Sequence, residues 1–169
     1  MNEGDFEVDI LDNAGKITGT KLRKNVIKGV DVYHAVYGVV VTPDDKFVIS
    51  VIGNPVGLPN LHAGKLGCTC ATIRRADETA GKAITRAISN ELRITAKPEQ
   101  LSENFIDIDN TKRLITFYII RSEMPIDYSK EDIVELKLLS KGEFEKLLSE
   151  QPEKLTPPLK LFWQTFRIA

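Results

Sequence analysis

Cysteine is scarce in this 169-residue chain, which has only Cys68 and Cys70, so no disulfide framework is available and a reducing compartment is expected. An excess of either charge is also missing, since 23 basic side chains stand against 24 acidic ones. Nucleic-acid binding needs a basic excess or a basic stripe, and neither is present. The longest apolar stretch, 36–41, is far shorter than the roughly 18 residues of a membrane span.

The first residues also lack a basic start followed by an apolar block, so no signal peptide is expected. These absences together predict a soluble, cytoplasmic protein that binds neither nucleic acid nor membranes. The length fits one domain, residues 1–169, which is large enough to bury a sizeable core. No internal repeat, linker or low-complexity tract divides it.

The N-terminal half has the patterns of strands. Alternating residues around a turn at 12–15 predict a β-hairpin over 7–23. β-branched and aromatic residues predict a central strand over 31–42, and a turn then leads into a strand over 47–52. The loop that follows, 53–66, is long enough to be functional rather than a simple connector.

The remainder mixes both kinds of element. Residues 79–92 have helical spacing, with Thr79 or Asp77 as the candidate cap. Ser140 opens a capping box, and Thr156 precedes two prolines that suit the first turn of a helix. Further strands are predicted near 68–71, 104–108, 114–121 and 133–139, with C-terminal helices within 140–168. The order of elements predicts an α+β or mixed α/β fold.

Glu91 stands out within the predicted helix. At about 100° per residue it falls on the same face as Ala80, Ala83, Ile84 and Ala87. A carboxylate on an apolar, alanine-rich stripe is costly unless it has a partner or a ligand. The alternative is that Glu91 lies in a frayed last turn that solvent reaches.

Residues 72–94 resemble the Nudix box, in which Gly, Glu, Arg-Glu, Glu-Glu and Gly recur at fixed spacing. Laid on without a gap, the box has Glu78, Arg86 and Glu91 at three of its charged or glycine positions. The other four positions differ. The opening glycine, two glutamates and the closing glycine are replaced by Thr72, Ala87, Asn90 and Arg93.

The resemblance implies a role for each retained residue. The early glutamate and the arginine form an ion pair that holds the loop and helix together, so Glu78 and Arg86 are expected to contact each other. The late glutamates hold Mg²⁺ or Mn²⁺, and of these only Glu91 is present, as the one implied metal ligand and catalytic residue. Because a hard divalent ion takes several oxygen ligands, the metal site is depleted.

The resemblance covers nearly the whole chain and implies a Nudix α/β/α sandwich with a mixed β-sheet. Residues 11–20, the strand that bears His34, and the segments at 130–144 and 155–158 look like the branch that includes isopentenyl-diphosphate isomerase. Isomerase chemistry itself is poorly supported, because two of its three metal-binding histidines fall on Ile27 and Ile73.

Four other side chains are candidates for binding phosphate: Lys65, Arg74, Arg75 and His34. Arginine binds phosphate oxygens bidentately, although a solvated basic loop is the simpler interpretation of Arg74 and Arg75. Cys68 and Cys70, two apart, are expected to point to the same face of a strand, and with His34 and His62 they could form a zinc site. Small buried core cysteines are the alternative.

Two further features each have two interpretations. Glu131, Asp132 and Glu135 form an acidic cluster that is either a catalytic base region or an exposed face. Trp163 lies in a terminal helix whose apolar residues are expected to dock on the domain or on a second subunit, as in a homodimer.

Two functions therefore remain open. The first is a divergent pyrophosphohydrolase that acts on a diphosphate-linked small molecule. The second is a catalytically inactive Nudix domain that binds such a ligand or a partner protein.

Overall fold

The computed structural model describes residues 5–53, 62–131 and 133–168. The strands are β1 Glu7–Leu11, β2 Ile17–Leu22, β3 Tyr33–Val41, β4 Phe47–Ile52, β5 Leu66–Gly67, β6 Cys70–Ile73, β7 Pro98–Ile108, β8 Thr111–Arg121 and β9 Ile133–Leu139. The helices are α1 Ala80–Ala87, α2 Lys141–Glu150 and α3 Pro157–Phe166. No helix in these described ranges is long and apolar enough to cross a membrane.

A mixed sheet forms the centre of the molecule, with the strand order β5-β4-β3-β8-β7. β3 and β8 run parallel, and the other pairs in this order are antiparallel. β9 adds to β4, and β6 adds to β3. β1 and β2 form the separate hairpin that residues 7–23 predict. The predicted α+β class with a mixed sheet is confirmed.

Each face of the sheet carries its own apolar core. On one face, strand residues such as Phe117 pack with Phe144, Phe162 and Trp163 from α2 and α3. On the other, residues such as Val36 pack with the apolar stripe of α1. Because β3 is covered on both faces, nearly all of its residues are buried. The result is a three-layer α/β/α sandwich.

Both C-terminal helices begin where their caps predict. Ser140 accepts a hydrogen bond from the Glu143 amide and Glu143 returns one, which completes the capping box. The Thr156 hydroxyl caps α3, which begins at Pro157. Trp163 stacks on Phe144 with ring centroids 4.5 Å apart, so the apolar face of α3 docks on its own domain.

α1 lies close against β3 because Gly38 has no side chain. A Cβ built on Gly38 would lie 2.6 Å from Ile120 Cδ1 and 3.1 Å from Ile84 Cδ1. Thr79 caps the helix by accepting from the Lys82 amide. The predicted helix over 79–92 is too long as an α-helix, because the turn from Ile88 to Leu92 is π-helical.

Candidate active site

The salt bridge between Glu78 and Arg86 forms as the sequence leads us to expect. Arg86 Nε lies 2.9 Å from Glu78 Oε1, and Arg86 Nη2 lies 3.0 Å from Oε2, so the contact is bidentate. The same guanidinium donates to the Thr72 hydroxyl and to the Ile73 carbonyl. One side-chain pair thus connects the strand β6, the loop after it and the last turn of α1.

Charge balance at this ion pair favours the ionised carboxylate. Burial pushes the pKa of Glu78 upwards, but hydrogen bonds from Arg86 and from the Arg75 amide outweigh it, and the pKa is lowered overall. Both side chains are mostly buried, at 15% and 22% exposed. Removing one partner therefore leaves a poorly solvated charge behind.

Arg74 is the centre of a second polar network on the same side of the sheet. Its Nη1 lies 3.0 Å from Asp9 Oδ2 in the hairpin, and it donates to the Glu78 carbonyl. Its Nε donates to His34 Nδ1 at 3.1 Å. His34 Nε2 lies 2.7 Å from the Thr116 hydroxyl. Since Nδ1 accepts a hydrogen bond from Arg74, Nε2 is the protonated nitrogen of the neutral ring.

This environment keeps His34 uncharged. Burial, together with the neighbouring Arg74 charge, lowers the pKa of His34 to about 4. The Glu103 carboxylate, 3.7 Å from Nε2, is half-exposed and opposes this effect only weakly. His34 therefore joins β3, β8 and the loop before α1 as a neutral hydrogen-bonding residue.

The far end of α1 has a different geometry. The π-helical turn from Ile88 to Leu92 ends at Arg93, whose φ of 53° is left-handed. Such a φ is uncommon for a residue with a side chain and easy for glycine. π-helical turns are rare and often accompany functional sites. The turn brings Glu91 over β6, where its Oε2 accepts from the Ala71 amide at 3.1 Å.

Next to Glu91, a cavity of about 350 Å³ opens where two strands part. β6 pairs with the first half of β3, whereas β4 pairs with its last residues. Thr69 bridges this division, because its hydroxyl donates to the Val48 carbonyl and accepts from the Val40 amide. Ser50 also reaches across, donating to the Cys68 carbonyl at 2.6 Å.

As far as the structure describes it, the cavity has an apolar and weakly polar lining with one carboxylate. Its described walls include Tyr37, Ser50, His62, Cys68, Cys70 and Glu91. Burial raises the pKa of Tyr37 to about 12, so its hydroxyl stays protonated. Burial also raises the pKa of both thiols, and the Glu91 carboxylate raises that of Cys70 further. Neither cysteine is therefore a ready nucleophile.

The described residues do not fit a divalent metal. Within residues 5–53, 62–131 and 133–168, no group of three or more His, Cys, Asp or Glu side chains could hold an ion. Glu91 already accepts a backbone hydrogen bond, and its helical neighbours Ala87 and Asn90 supply no carboxylate. Mg²⁺ and Mn²⁺ require more oxygen ligands than this.

By sequence, no family model and no curated protein matches the chain. Solved structures do match. DR0079 from Deinococcus radiodurans has a TM-score of 0.77 at 15% identity, over 95% of this chain and 98% of that one. A MutT protein from Methanosarcina mazei has a TM-score of 0.63 at 17% identity, over 80% and 94%.

A third match is the Nudix domain of Shewanella oneidensis NrtR, solved as a complex with ADP ribose. Its TM-score is 0.60 at 13% identity, over 79% of this chain and 85% of that one. The chain has the Nudix fold. At these identities the likeness extends to the fold alone.

Within this Nudix fold, the four phosphate-binding candidates do not converge on the cavity. Arg74 and His34 are bonded to each other in the network under the hairpin. Arg75 lies over the Phe6 ring, 4.8 Å from its centroid. The Lys65 carbonyl accepts from the Ile52 amide, and Lys65 is not among the described lining residues.

The prediction that Cys68 and Cys70 face the same way, on which a zinc site depends, is wrong. Cys68 and Cys70 do not share a strand face, because Thr69 forms a bend and β6 begins only at Cys70. Cys68 packs in the core under α2 and α3, whereas Cys70 packs under α1. Of the acidic cluster, Glu131 and Glu135 are exposed, and Asp132 lies outside the described residues, as do 54–61 of the long loop.

Sequence reasoning missed Thr69, Ser50 and Tyr37 as residues of the cavity. Ser50 and Tyr37 lie within predicted strands, and nothing local distinguishes them from ordinary sheet residues. Thr69 carries one weak signal, since it is the single polar residue between two cysteines in a buried segment. A buried hydroxyl needs a partner, and here it satisfies the carbonyl and amide of two different strands.

Proposed function

We propose that this chain is a divergent Nudix-fold protein that binds a diphosphate-containing small molecule and hydrolyses it slowly or not at all. The observation that carries the proposal is that Glu91 is the single carboxylate among the described residues that line the cavity. Metal-assisted hydrolysis depends on an ion that stabilises developing charge, and each 1.4 kcal/mol lost is about tenfold in rate. A site with one carboxylate has little means of holding that ion.

Residues 72–94 are, on this proposal, a degenerate Nudix box. Two features support the gapless alignment. Glu78 and Arg86 form the ion pair that the pattern requires. Arg93 occupies the closing glycine position and has a left-handed φ of 53°, the conformation that a glycine adopts most easily. Ala87 and Asn90 then stand where the remaining metal-binding glutamates would be.

The cavity supports a small ligand. Its volume of about 350 Å³ lies within the range of small-molecule sites, about 300 to 1,000 Å³, and its lining combines apolar walls with a few polar groups. The Shewanella domain that shares this fold was solved with ADP ribose, which contains a diphosphate group. A ligand of that chemical class is therefore the first to try.

The second candidate is a pyrophosphohydrolase dependent on Mg²⁺ or Mn²⁺. It is favoured by the position of Glu91, which lines the cavity directly. In this version Glu91 is the metal ligand and the catalytic residue, with further ligands supplied by the substrate and by water.

A ligand panel separates the two functions. Calorimetry with ADP-ribose, nucleotide sugars, dinucleotides and isoprenoid diphosphates measures binding, and release of phosphate-containing products with Mg²⁺ or Mn²⁺ measures turnover. We expect binding of at least one class without turnover. Turnover that is lost in Glu91→Gln and kept in Glu99→Gln, an exposed carboxylate on β7, would establish the hydrolase instead. Absence of binding across the panel contradicts both.

Three expectations remain predictions. The isomerase-like branch rests on the resemblance of residues 11–20, 130–144 and 155–158 and of the strand that bears His34. A homodimer is tested by light scattering on the purified protein. A cytoplasmic location is tested by fractionation of cells that express it.

A further inference from the structure

A second polar site lies at the start of β8, away from Glu91. Two atoms there are buried without a hydrogen-bond partner, Arg113 Nε and Thr111 Oγ1. Thr111 is only 1% exposed. Residues two apart on a strand point to the same face, so both side chains belong to one side of the sheet. Buried polar atoms are nearly always satisfied, and two orphans together point to a missing partner.

Positive charge accumulates at the same place. The Tyr33 ring has Arg113 Cζ 5.4 Å from its centroid and Arg23 Cζ 5.6 Å from it. Among the described residues, no carboxylate lies within 4.0 Å of either guanidinium. The nearby Asp109 carboxylate lies 3.4 Å from His62 instead. Two permanently charged guanidiniums without a carboxylate form an environment that favours an anion.

Two residues connect this site to the cavity. Tyr37 lines the cavity, and Arg113 is close enough to counteract the rise in the pKa of Tyr37 through its charge and a hydrogen bond. His62 also lines the cavity, and it reaches Asp109, two residues before Thr111. Glu91 reaches the cavity from the opposite face of the sheet. The carboxylate of Glu91 and the two guanidiniums therefore place opposite charges at the two ends of the site.

We propose that Arg113, Thr111 and Arg23 form a metal-independent subsite for the phosphoryl groups of the ligand. This inference rests on the proposed function, because it names the part of the site that holds the diphosphate. A phosphate oxygen accepts hydrogen bonds from a guanidinium bidentately and from a hydroxyl, which satisfies both orphan donors. The two arginines neutralise the charge of the phosphoryl groups, which a divalent ion would otherwise balance. The phosphoryl end of the ligand then lies away from the Glu91 carboxylate.

Inorganic pyrophosphate is the probe, measured by calorimetry in EDTA with the full chain. We expect wild-type protein to bind it without metal, and more weakly at high salt. Arg113→Gln should lower the affinity about tenfold or more, because charge-assisted hydrogen bonds are about twice as strong as neutral ones. Arg113→Lys should recover part of the loss, and Thr111→Val should cause a smaller one.

Arg121→Gln is the matched control, since it removes the same charge from the other end of β8 and should leave binding unchanged. Thermal melting separates binding from structure. If the subsite binds anions, Arg113→Gln keeps the melting temperature of the free protein and loses the rise caused by pyrophosphate. If Arg113 is purely structural, the free protein itself melts lower and the rise persists.

Failure of this inference is distinct from failure of the proposed function. Pyrophosphate binding that requires Mg²⁺, or equal binding by the Arg113→Gln and Arg121→Gln variants, overturns the subsite. So does the absence of pyrophosphate binding by the wild-type protein. A diphosphate ligand from the panel that still binds in any of these cases leaves the proposed function standing, with its phosphoryl groups held elsewhere.

Discussion

Two carboxylates, one near each end of α1, have different surroundings. Near its start, Glu78 is held by a bidentate guanidinium and a backbone amide. After its last α-helical turn, Glu91 lies beside a cavity and accepts from the Ala71 amide. The first arrangement connects the loop to the helix and supports the fold. The second has no carboxylate at the nearby helix positions 87 and 90, which are Ala87 and Asn90.

The largest effect expected concerns the ion pair. Glu78→Gln should lower the free energy of unfolding by about 3 kcal/mol, because it leaves Arg86 charged and mostly buried without its partner. Glu91→Gln should cost less than about 1 kcal/mol, since the glutamine side-chain oxygen can still accept from the Ala71 amide. Urea denaturation at pH 7 measures both. Equal losses of unfolding free energy in the two variants would contradict the difference between the two ends of α1.

The network beside the ion pair should make stability depend on pH. The pKa of His34 is lowered from 6.5 to about 4, so the unfolded chain takes up a proton first as the pH falls. Stability is therefore retained above about pH 6.5 and lost between there and about pH 4. We expect a loss of about 2 kcal/mol at pH 5 relative to pH 7.

The variant His34→Gln isolates this effect. Glutamine cannot titrate, so the decline between pH 7 and pH 5 should become shallower. Urea denaturation of both proteins at several pH values gives the difference. A decline as steep as that of the wild-type protein would assign the pH dependence to groups other than His34.

Adding a carboxylate should sharpen the contrast at the far end of α1. Asn90 is exposed, so Asn90→Glu should fold normally and place a second carboxylate next to Glu91. Mn²⁺ at about ten times its Kd would then stabilise the variant by about 1.4 kcal/mol. Thermal melting with and without Mn²⁺ measures this, with Asn90→Gln as the control. The same Mn²⁺ effect in the wild-type protein would mean that the site is already competent.

The smallest effect expected is at Arg93. Arg93→Gly should stabilise the protein by up to about 1 kcal/mol, because glycine adopts the left-handed φ without strain and this gain exceeds its entropic cost. Asp127→Asn is the control, since it removes only the exposed salt bridge of Arg93. Urea denaturation of both variants compares them. Destabilisation by glycine beyond that of Asp127→Asn would contradict strain at this position.

Much of the fold was predictable because its signals are local. β4 and β9 have the predicted bounds, and the helices begin after Thr79, Ser140 and Thr156 as their caps indicate. The π-helical turn was not predictable, because it depends on how Ile88 and Leu92 reach the core under the sheet. β7 begins earlier than the prediction, since pairing with β8 extends a polar segment that has little strand character of its own.

The sequence by itself determined the strand and helix patterns and the scarcity of carboxylates around Glu91, and the resemblance of residues 72–94 implied the pairing of Glu78 with Arg86. The patterns follow from residues close in the chain, where spacing sets which side chains share a face. Only the tertiary structure decided that Arg74 bonds Asp9 and His34, that Cys68 and Cys70 face different cores, and that Arg113 lies beside Tyr33. Those outcomes depend on which distant strands pair with β3, and long-range pairing has no local signature.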